Sequence, residues 1–291
     1  MRSEVEQSYL MQLIEDIRSD HPTMSCRAMY HKIQPGTIGR DKFEALCKQW
    51  GYSSIRPVNY QRTTDSKGVI RFDNLLEKAQ ITGMNQAYVS DITYFELNNR
   101  FYYITFIMDA FTRYIVGYAV SDRLLTESTT LLALKMALKN RKGELPKLII
   151  FHSDGGGQYF DKIFLQLTKK YDFLNSMCEF AYQNGKAERI NGVIKNNYLK
   201  HWEIKTYKDL VSNVDRAVHL YNTGKPHKEL KMKTPLQIEK EQLNLQQQTK
   251  PKMTESFDAK SQLVRGIEPL PIEANKASES RCIFHKILSE G

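Results

Sequence analysis

Hydrophobic and polar positions change rhythm along this chain, and each change predicts a different kind of element. Over residues 1–60 the period is helical. EVEQSYLMQLIEDI places Leu10, Leu13, Ile14 and Ile17 on one face, and CRAMYHKI forms a second, shorter helix. Gln34-Pro35-Gly36-Thr37 breaks the chain, with Thr37 a candidate N-cap, and IGRDKFEALCKQW reads as a third helix stopped by Gly51. A short helix, a tight turn and a helix predict a helix-turn-helix-like segment, a pattern that a plain three-helix bundle shares. Residues 61–84 are polar and basic, as a linker would be.

From residue 86 the rhythm is that of strands. QAYVSDITYF, RFYYITFIMD and RYIVGYAV are β-rich, and Ala110-Phe111-Thr112 joins the last two as a hairpin. Alternation follows: a helix over 125–140, apolar at Leu131, Leu132, Leu134 and Leu138, with Ser128 or Thr129 to cap it; the strand KLIIFHSD; a helix over 158–171; a strand over 173–177; and helices over 185–200 and 206–221. A three-stranded meander followed by alternating helices and strands predicts a mixed α/β core spanning 85–241. Residues 242–291 turn polar and Gln/Lys-rich, and weak order is expected there.

Charge changes the picture more than composition does. Hydrophobic residues make up 41% and charged residues 26%, an ordinary globular balance. The net charge is +9, and between Gly185 and Lys252 there are 14 Lys/Arg against 7 Asp/Glu, so most of the excess lies in one region. Such a surface favours polyanionic partners. The four cysteines, 26, 47, 178 and 282, show no CxxC pair and read as reduced thiols rather than a zinc site or disulfide frame. MRSEVEQSYL is too polar for a signal peptide, and the most apolar stretch, 101–120, contains Asp109 and Arg113, which argues against a membrane span.

Three acids are conspicuous by position. Asp91 lies inside the first core strand, among β-forming neighbours, where a carboxylate is costly unless it is paired or binds a metal. Asp154 closes the strand IIFHSD, and Glu188 opens the helix GKAERINGVIK. Singly, each has a plain reading as an exposed strand position, a turn former or a favourable charge at a helix N-terminus. Together, in a mixed α/β core with a basic flank, they suit a magnesium site, because magnesium takes hard oxygen ligands and keeps positions open for water and phosphate oxygens. Two such ions serve an in-line displacement by activating a hydroxyl and stabilising the leaving oxygen. Gly155, Gly156 and Gly157 would then let a nucleic-acid backbone approach Asp154. A mononucleotide cradle fits poorly, since neither GxxxxGK[ST] nor GxGxxG spacing is present.

These residues also carry a resemblance. YVSDITYF, FIMDAFTRYIVGYAVSD, FHSDGGGQY, NSM with NGKAERINGVIKNNYL, and YNTGKPHKELKMKTPLQIE occur in the order found in the OrfB-type transposases of bacterial insertion sequences, within the retroviral-integrase superfamily. The chain resembles that family over about 86–240, and residues 20–60 resemble the small helix-turn-helix segment ahead of its core. The resemblance implies an RNase H-like mixed sheet flanked by helices. It implies that Asp91, Asp154 and Glu188 form a DDE triad holding two Mg2+ ions, with Mn2+ able to substitute. It implies cleavage of element ends and transfer of their 3′-hydroxyls into target DNA, without a covalent enzyme intermediate. Double-stranded DNA would be the substrate, an upstream-frame helix-turn-helix and leucine-zipper protein a partner or fusion, and an oligomer on DNA the working form, in the bacterial cytoplasm at the nucleoid.

The match has departures. Tyr88 stands where the family usually has Trp, and Gly155 where it usually has Arg. The 33 residues between Asp154 and Glu188 are slightly fewer than is usual, the loss falling in CEFAYQ. Glu179, in that loop, is a weaker competitor for the third role, and Asp122 reads as a strand-end residue. Helix spacing sets Glu188, Asn191 and Lys195 on one face, so Asn191 and Lys195, with Arg189, are expected to meet DNA. Gln158 and Asn184 are candidates for DNA contact or helix capping. Lys225, Lys228, Lys231 and Lys233 are expected to track a phosphate backbone. His152 shares a strand face with Asp154 and either orients the site or packs. Two alternatives stay open: an RNase H-like nuclease that cuts without joining, and a DNA-binding protein with an inactive core.

Overall fold

The computed structural model describes residues 2–53, 71–142, 145–178 and 181–249. Three helices open the chain: α1 (Arg2–Asp20), α2 (Cys26–Ile33) and α3 (Arg40–Gln49). Leu10, Ile14, Ile17, Met29, Phe43 and Cys47 are buried together, so the face read from the sequence is the one that packs. Ser25 caps α2 by accepting from the Ala28 N–H. The N-cap of α3 is Gly39 rather than Thr37, because the broken stretch runs two residues further before helical geometry begins. Gly51, at φ +81°, ends the segment as expected.

Residues 61–70 of the expected basic linker lie outside the described residues. Its last part holds a single helical turn, α4 (Leu75–Lys78), capped by the Asn74 side chain. Strands β1 (Ala87–Leu97), β2 (Arg100–Asp109) and β3 (Ile115–Ser121) form the antiparallel meander. Helix α5 (Thr130–Asn140), after a short 3-10 turn, leads to β4 (Ile150–Ser153), α6 (Lys162–Lys170) and β5 (Leu174–Met177). Thr129 takes the cap position of α5 but spends its hydroxyl on the Leu125 carbonyl. Leu132 is exposed, leaving Leu131, Leu134 and Leu138 as the packed face.

The sheet order is β3-β2-β1-β4-β5, with β4 and β5 parallel to β1. That mixed order, with helices on both faces, is an RNase H-like α/β fold. One face packs on α5 and α6 through Tyr88, Ile107, Leu134, Phe151 and Phe164. The other packs on α7 (Gly185–Asn197) and α8 (Tyr207–Gly224) through Val89, Phe106, Ile190, Ile194 and Val214. Gly117 of β3 is required by the first packing: a Cβ there would lie 2.3 Å from the Ala133 carbonyl oxygen of α5. Tyr88, standing where Trp is usual, fills its site completely and donates its hydroxyl to Asn85.

Two features were not legible in the pattern. The polar stretch from 242 continues α9 (Pro235–Thr249) as far as Thr249, so weak order does not begin at 242. Thr234 and Gln237 bond reciprocally around Pro235, which starts α9 well. The remainder, 250–291, lies outside the described residues. The helical N-terminal unit also docks on the core: His21 meets the Tyr198 hydroxyl at 3.0 Å, Lys32 donates to the Gly224 carbonyl, and Arg216 pairs with Asp20. Gly224 makes the close approach possible, since a Cβ would stand 2.7 Å from the His21 ring.

Candidate active site

Parallel pairing fixes where the acids go. Ala87, Tyr88 and Val89 of β1 lie beside Ile150, Phe151 and His152 of β4. Continuing that register by two residues brings Asp91 level with Asp154, at the point where β4 ends and the pairing stops. There the two carboxyls are close enough for the charge of one to act on the other. Burial is the main cause that raises both carboxyls above the usual range; for Asp91 the next is the charge of Asp154, followed more weakly by that of Glu188.

The surroundings hold these acids in place. Asp91 accepts from the Ile92 N–H at 2.9 Å and from Asn191 Nδ2 at 2.8 Å. Asp154 accepts from the Gly156 N–H at 3.1 Å. This gives Gly156 a local reason: a Cβ would stand 3.1 Å from the Asp154 carboxyl oxygen, tighter than ordinary contact, while beside Gly157 the space is open. Glu188 sits on the first turn of α7 with an exposed side chain. Among the described residues no three His, Cys, Asp or Glu side chains gather within metal-ligand reach. Of the three expected acids, Asp91 and Asp154 thus stand side by side, and Glu188 acts on Asp91 through its charge.

The other expected residues are placed as follows. Asn191 is buried and commits its amide nitrogen to Asp91. Lys195 reaches round to the Tyr94 carbonyl at 3.3 Å, with its ammonium 5.1 Å from the Tyr94 ring. Burial and Lys200 lower its pKa, and Asp91 opposes this. Arg189 is exposed beside Glu188. Gln158 donates to the Leu124 carbonyl at 3.4 Å. Asn184, buried, donates to the Ser90 carbonyl and ties the start of α7 to β1. His152 is buried, bonded to the Ser176 hydroxyl of β5 and kept neutral by burial, its pKa lowered to about 4, so packing is the role its contacts show. The basic run is not uniform: Lys233 pairs with Glu241 at 2.6 Å, Lys225 is half-buried, and Lys228 and Lys231 are exposed. Glu179 lies outside the described residues, and Asp122 is exposed just past β3.

Sequence reasoning overlooked a second set of buried charges. Glu239 of α9 takes a two-pronged bond from Arg141, at 2.5 and 2.6 Å, and a third bond from the Thr112 hydroxyl. Asp109, fully buried, accepts from the backbone N–H groups of Asn85, Phe111 and Thr112. The signal for these was weak, since Arg141 and Glu239 are 98 residues apart.

This RNase H-like sheet sets two half-buried acids side by side, on its first strand and at the end of the adjoining parallel strand. The integrase core domain family matches residues 82–182, and a second integrase core domain family matches 178–235. Over 198 residues the chain is 29% identical to an insertion element IS600 31 kDa protein of Shigella sonnei, covering 66% of this chain and 72% of that protein. It is 32% identical to the transposase of insertion sequence element IS629 of Shigella sonnei, over 54% of this chain and 53% of that one. It is 33% identical to the transposase InsF of insertion sequence IS3A of Escherichia coli K12, over 45% and 44%. The chain thus spans about half the length of these two transposases. Among solved structures, the HTLV-2 integrase catalytic core domain in complex with magnesium aligns over 54% of this chain at 19% identity, with a TM-score of 0.44. The chain carries an integrase core domain over residues 82–235 and is similar in sequence to insertion-sequence transposases. No helix among the described residues is long and apolar enough to cross a membrane.

Proposed function

We propose that this chain is the catalytic component of a transposase that cuts the ends of its insertion sequence and joins the 3′-hydroxyls to target DNA, using divalent cations held by Asp91, Asp154 and Glu188. The observation that carries this reading is the half-buried Asp91–Asp154 pair, set side by side by the register of β1 with β4. Two carboxyls side by side at the end of β4 are a donor set that suits a hard divalent cation. Bound there, Mg2+ or Mn2+, two ions in the full reaction, would supply charge neutralisation at the attacking and leaving oxygens.

The chain's own residues have separable tasks. Asn191 and the Ile92 N–H fix the rotamer of Asp91, and the Gly156 N–H fixes Asp154. The open space at Gly157 admits a backbone to Asp154. Glu188, exposed on the first turn of α7, completes the ligand set when DNA and cation bring it in. Lys195, Arg189 and Gln158 flank the acids and meet phosphates of the bound strand, Asn191 faces the same strand from behind Asp91, and Lys225, Lys228, Lys231 and Lys233 extend the basic track. The α2–α3 segment contributes further DNA contact. An upstream-frame helix-turn-helix and leucine-zipper protein, present as partner or fusion, supplies end recognition, and several subunits assemble on DNA in the bacterial cytoplasm.

The test is joining of labelled DNA from the flanks of the coding sequence into plasmid, with Mg2+ or Mn2+. The parent protein is expected to cut and join, and Asp154→Asn to do neither while keeping its DNA affinity. Cutting without joining by the parent would favour the nuclease reading. Equal joining by Asp154→Asn would remove the site assignment.

A further inference from the structure

Beside the acid pair, at the N-terminus of α7, lies a cleft of about 580 Å3 that none of the three acids lines. Its rim carries three cations, Arg113 from the β2–β3 turn and Lys186 and Arg189 from α7, against one acid, Glu229. Its floor is apolar, made by Leu76 and Val89 among others. Two of the cations are held in position. Arg113 is mostly covered and pairs with Glu229 at 2.7 Å, and Lys186 donates to the Ala110 carbonyl at 3.4 Å. The first turn of the 13-residue helix α7 also opens here, so the positive end of its dipole adds to the potential.

We infer that this cleft is a second anchoring point for DNA, holding a non-reacting backbone phosphate on Arg113, Lys186 and Arg189 while another part of the strand lies at Asp91 and Asp154. The inference rests on the transposase reading and adds a subsite to it. Three cations against one acid leave a positive excess that a phosphodiester answers, and an apolar floor suits the sugar that accompanies it. Val89 lines the cleft and lies two residues before Asp91 on the same strand face; Arg189 directly follows Glu188. A strand seated here is thereby delivered to the acids with its register set.

Counterion release supplies the test, because each phosphate contact adds to the salt dependence of binding. The affinity of the full chain for a DNA duplex is measured across salt concentrations for the parent, Lys186→Gln, Arg113→Gln and the control Lys139→Gln, which alters an exposed residue of α5. For Lys186→Gln the slope of log affinity against log salt is expected to become shallower by about one, with weaker binding at low salt, and Lys139→Gln is expected to match the parent. Arg113→Gln should shift in the same direction, with its melting curve recorded to separate lost contact from lost fold. Thymidine monophosphate is titrated in parallel. Parent-like slopes and affinities for both cleft variants would overturn the inference and leave the transposase reading standing. Tight nucleotide binding that Lys186→Gln abolishes, with the DNA slope unchanged, would overturn DNA as the occupant. A parent that binds no DNA would overturn both readings together.

Discussion

Asp109 and Glu239 on one side, and Asp91 and Asp154 on the other, are two sets of acids in one domain, the first buried and the second half-buried, and they are answered in opposite ways. Every oxygen of the first set has a partner suited to its charge. Arg141 takes Glu239 with two bonds and Thr112 adds a third, while three backbone N–H groups converge on Asp109. The second set has an amide and two backbone N–H groups, with Lys195 the near cation and its ammonium turned to Tyr94. Burial without a matching cation is unfavourable for a pair of carboxylates. Saturated acids lock α9 and the β2–β3 turn to the core. The half-buried pair has no such saturation, and on the proposed reading that difference separates structure from chemistry within one domain.

The sharpest way to exploit this contrast is to change one acid in each set. Asp154→Asn is expected to lower joining by more than roughly a hundredfold, beyond the range typical of residues that merely support a metal ligand, with a melting temperature at or above the parent's. Glu239→Ala is expected to do the reverse, costing about 3–5 kcal/mol of stability by leaving Arg141 buried and unpaired. Joining per folded molecule should survive it. Denaturant unfolding with a joining assay at low temperature checks both.

Acidity gives a second handle, and the sign differs by group. His21 at the docking of the N-terminal helices is neutral through burial, its pKa lowered from 6.5 to about 4, with Lys32 adding to the effect. The unfolded chain takes up a proton below pH 6.5 that the folded chain refuses, so stability falls between pH 6.5 and about 4, by on the order of 3 kcal/mol for this group. His152, lowered to about 4, acts in the same direction. The acid pair works the other way: with folded pKa values raised above 3.8, it costs stability as pH rises from about 4, and that cost is full once the folded pair ionises. Added Mg2+ or Mn2+ should remove the loss on the alkaline side and leave the histidine-driven loss unchanged. Melting curves over pH 4–9, with and without cation, read both. A smaller effect is expected from Asn191→Ala, which frees the Asp91 rotamer and should weaken cation binding by about tenfold with little change in fold.

How much of this was legible depended on how local the information was. The β1–β2–β3 meander and the helix faces were written in nearest-neighbour periodicity, and CRAMYHKI delimits α2 residue for residue. Asp91 and Asp154 were visible as acids misplaced in strands, since an apolar run makes a carboxylate conspicuous. Their meeting depends on the parallel register of β1 with β4, which no local pattern encodes. The committed partner of Asn191 was hidden for the same reason: helix spacing gave its face, but not that Asp91 would claim its amide. The Arg141–Glu239 lock joins elements far apart in sequence, and α9 ran on past 242 because glutamine and leucine sustain a helix that composition alone reads as polar tail. The cleft at Arg113, Lys186 and Arg189 assembles cations from two distant segments, and neither segment is basic enough alone to draw notice.

The most direct test of the central claim is Mn2+ binding near pH 8, followed by the loss of the free-ion electron paramagnetic resonance signal, for the parent, Asp154→Asn and Glu239→Gln. The account expects saturable binding by the parent, its loss in Asp154→Asn, and its retention in Glu239→Gln so long as that variant remains folded. Undiminished binding by Asp154→Asn would contradict the assignment of the Asp91–Asp154 pair as the cation site.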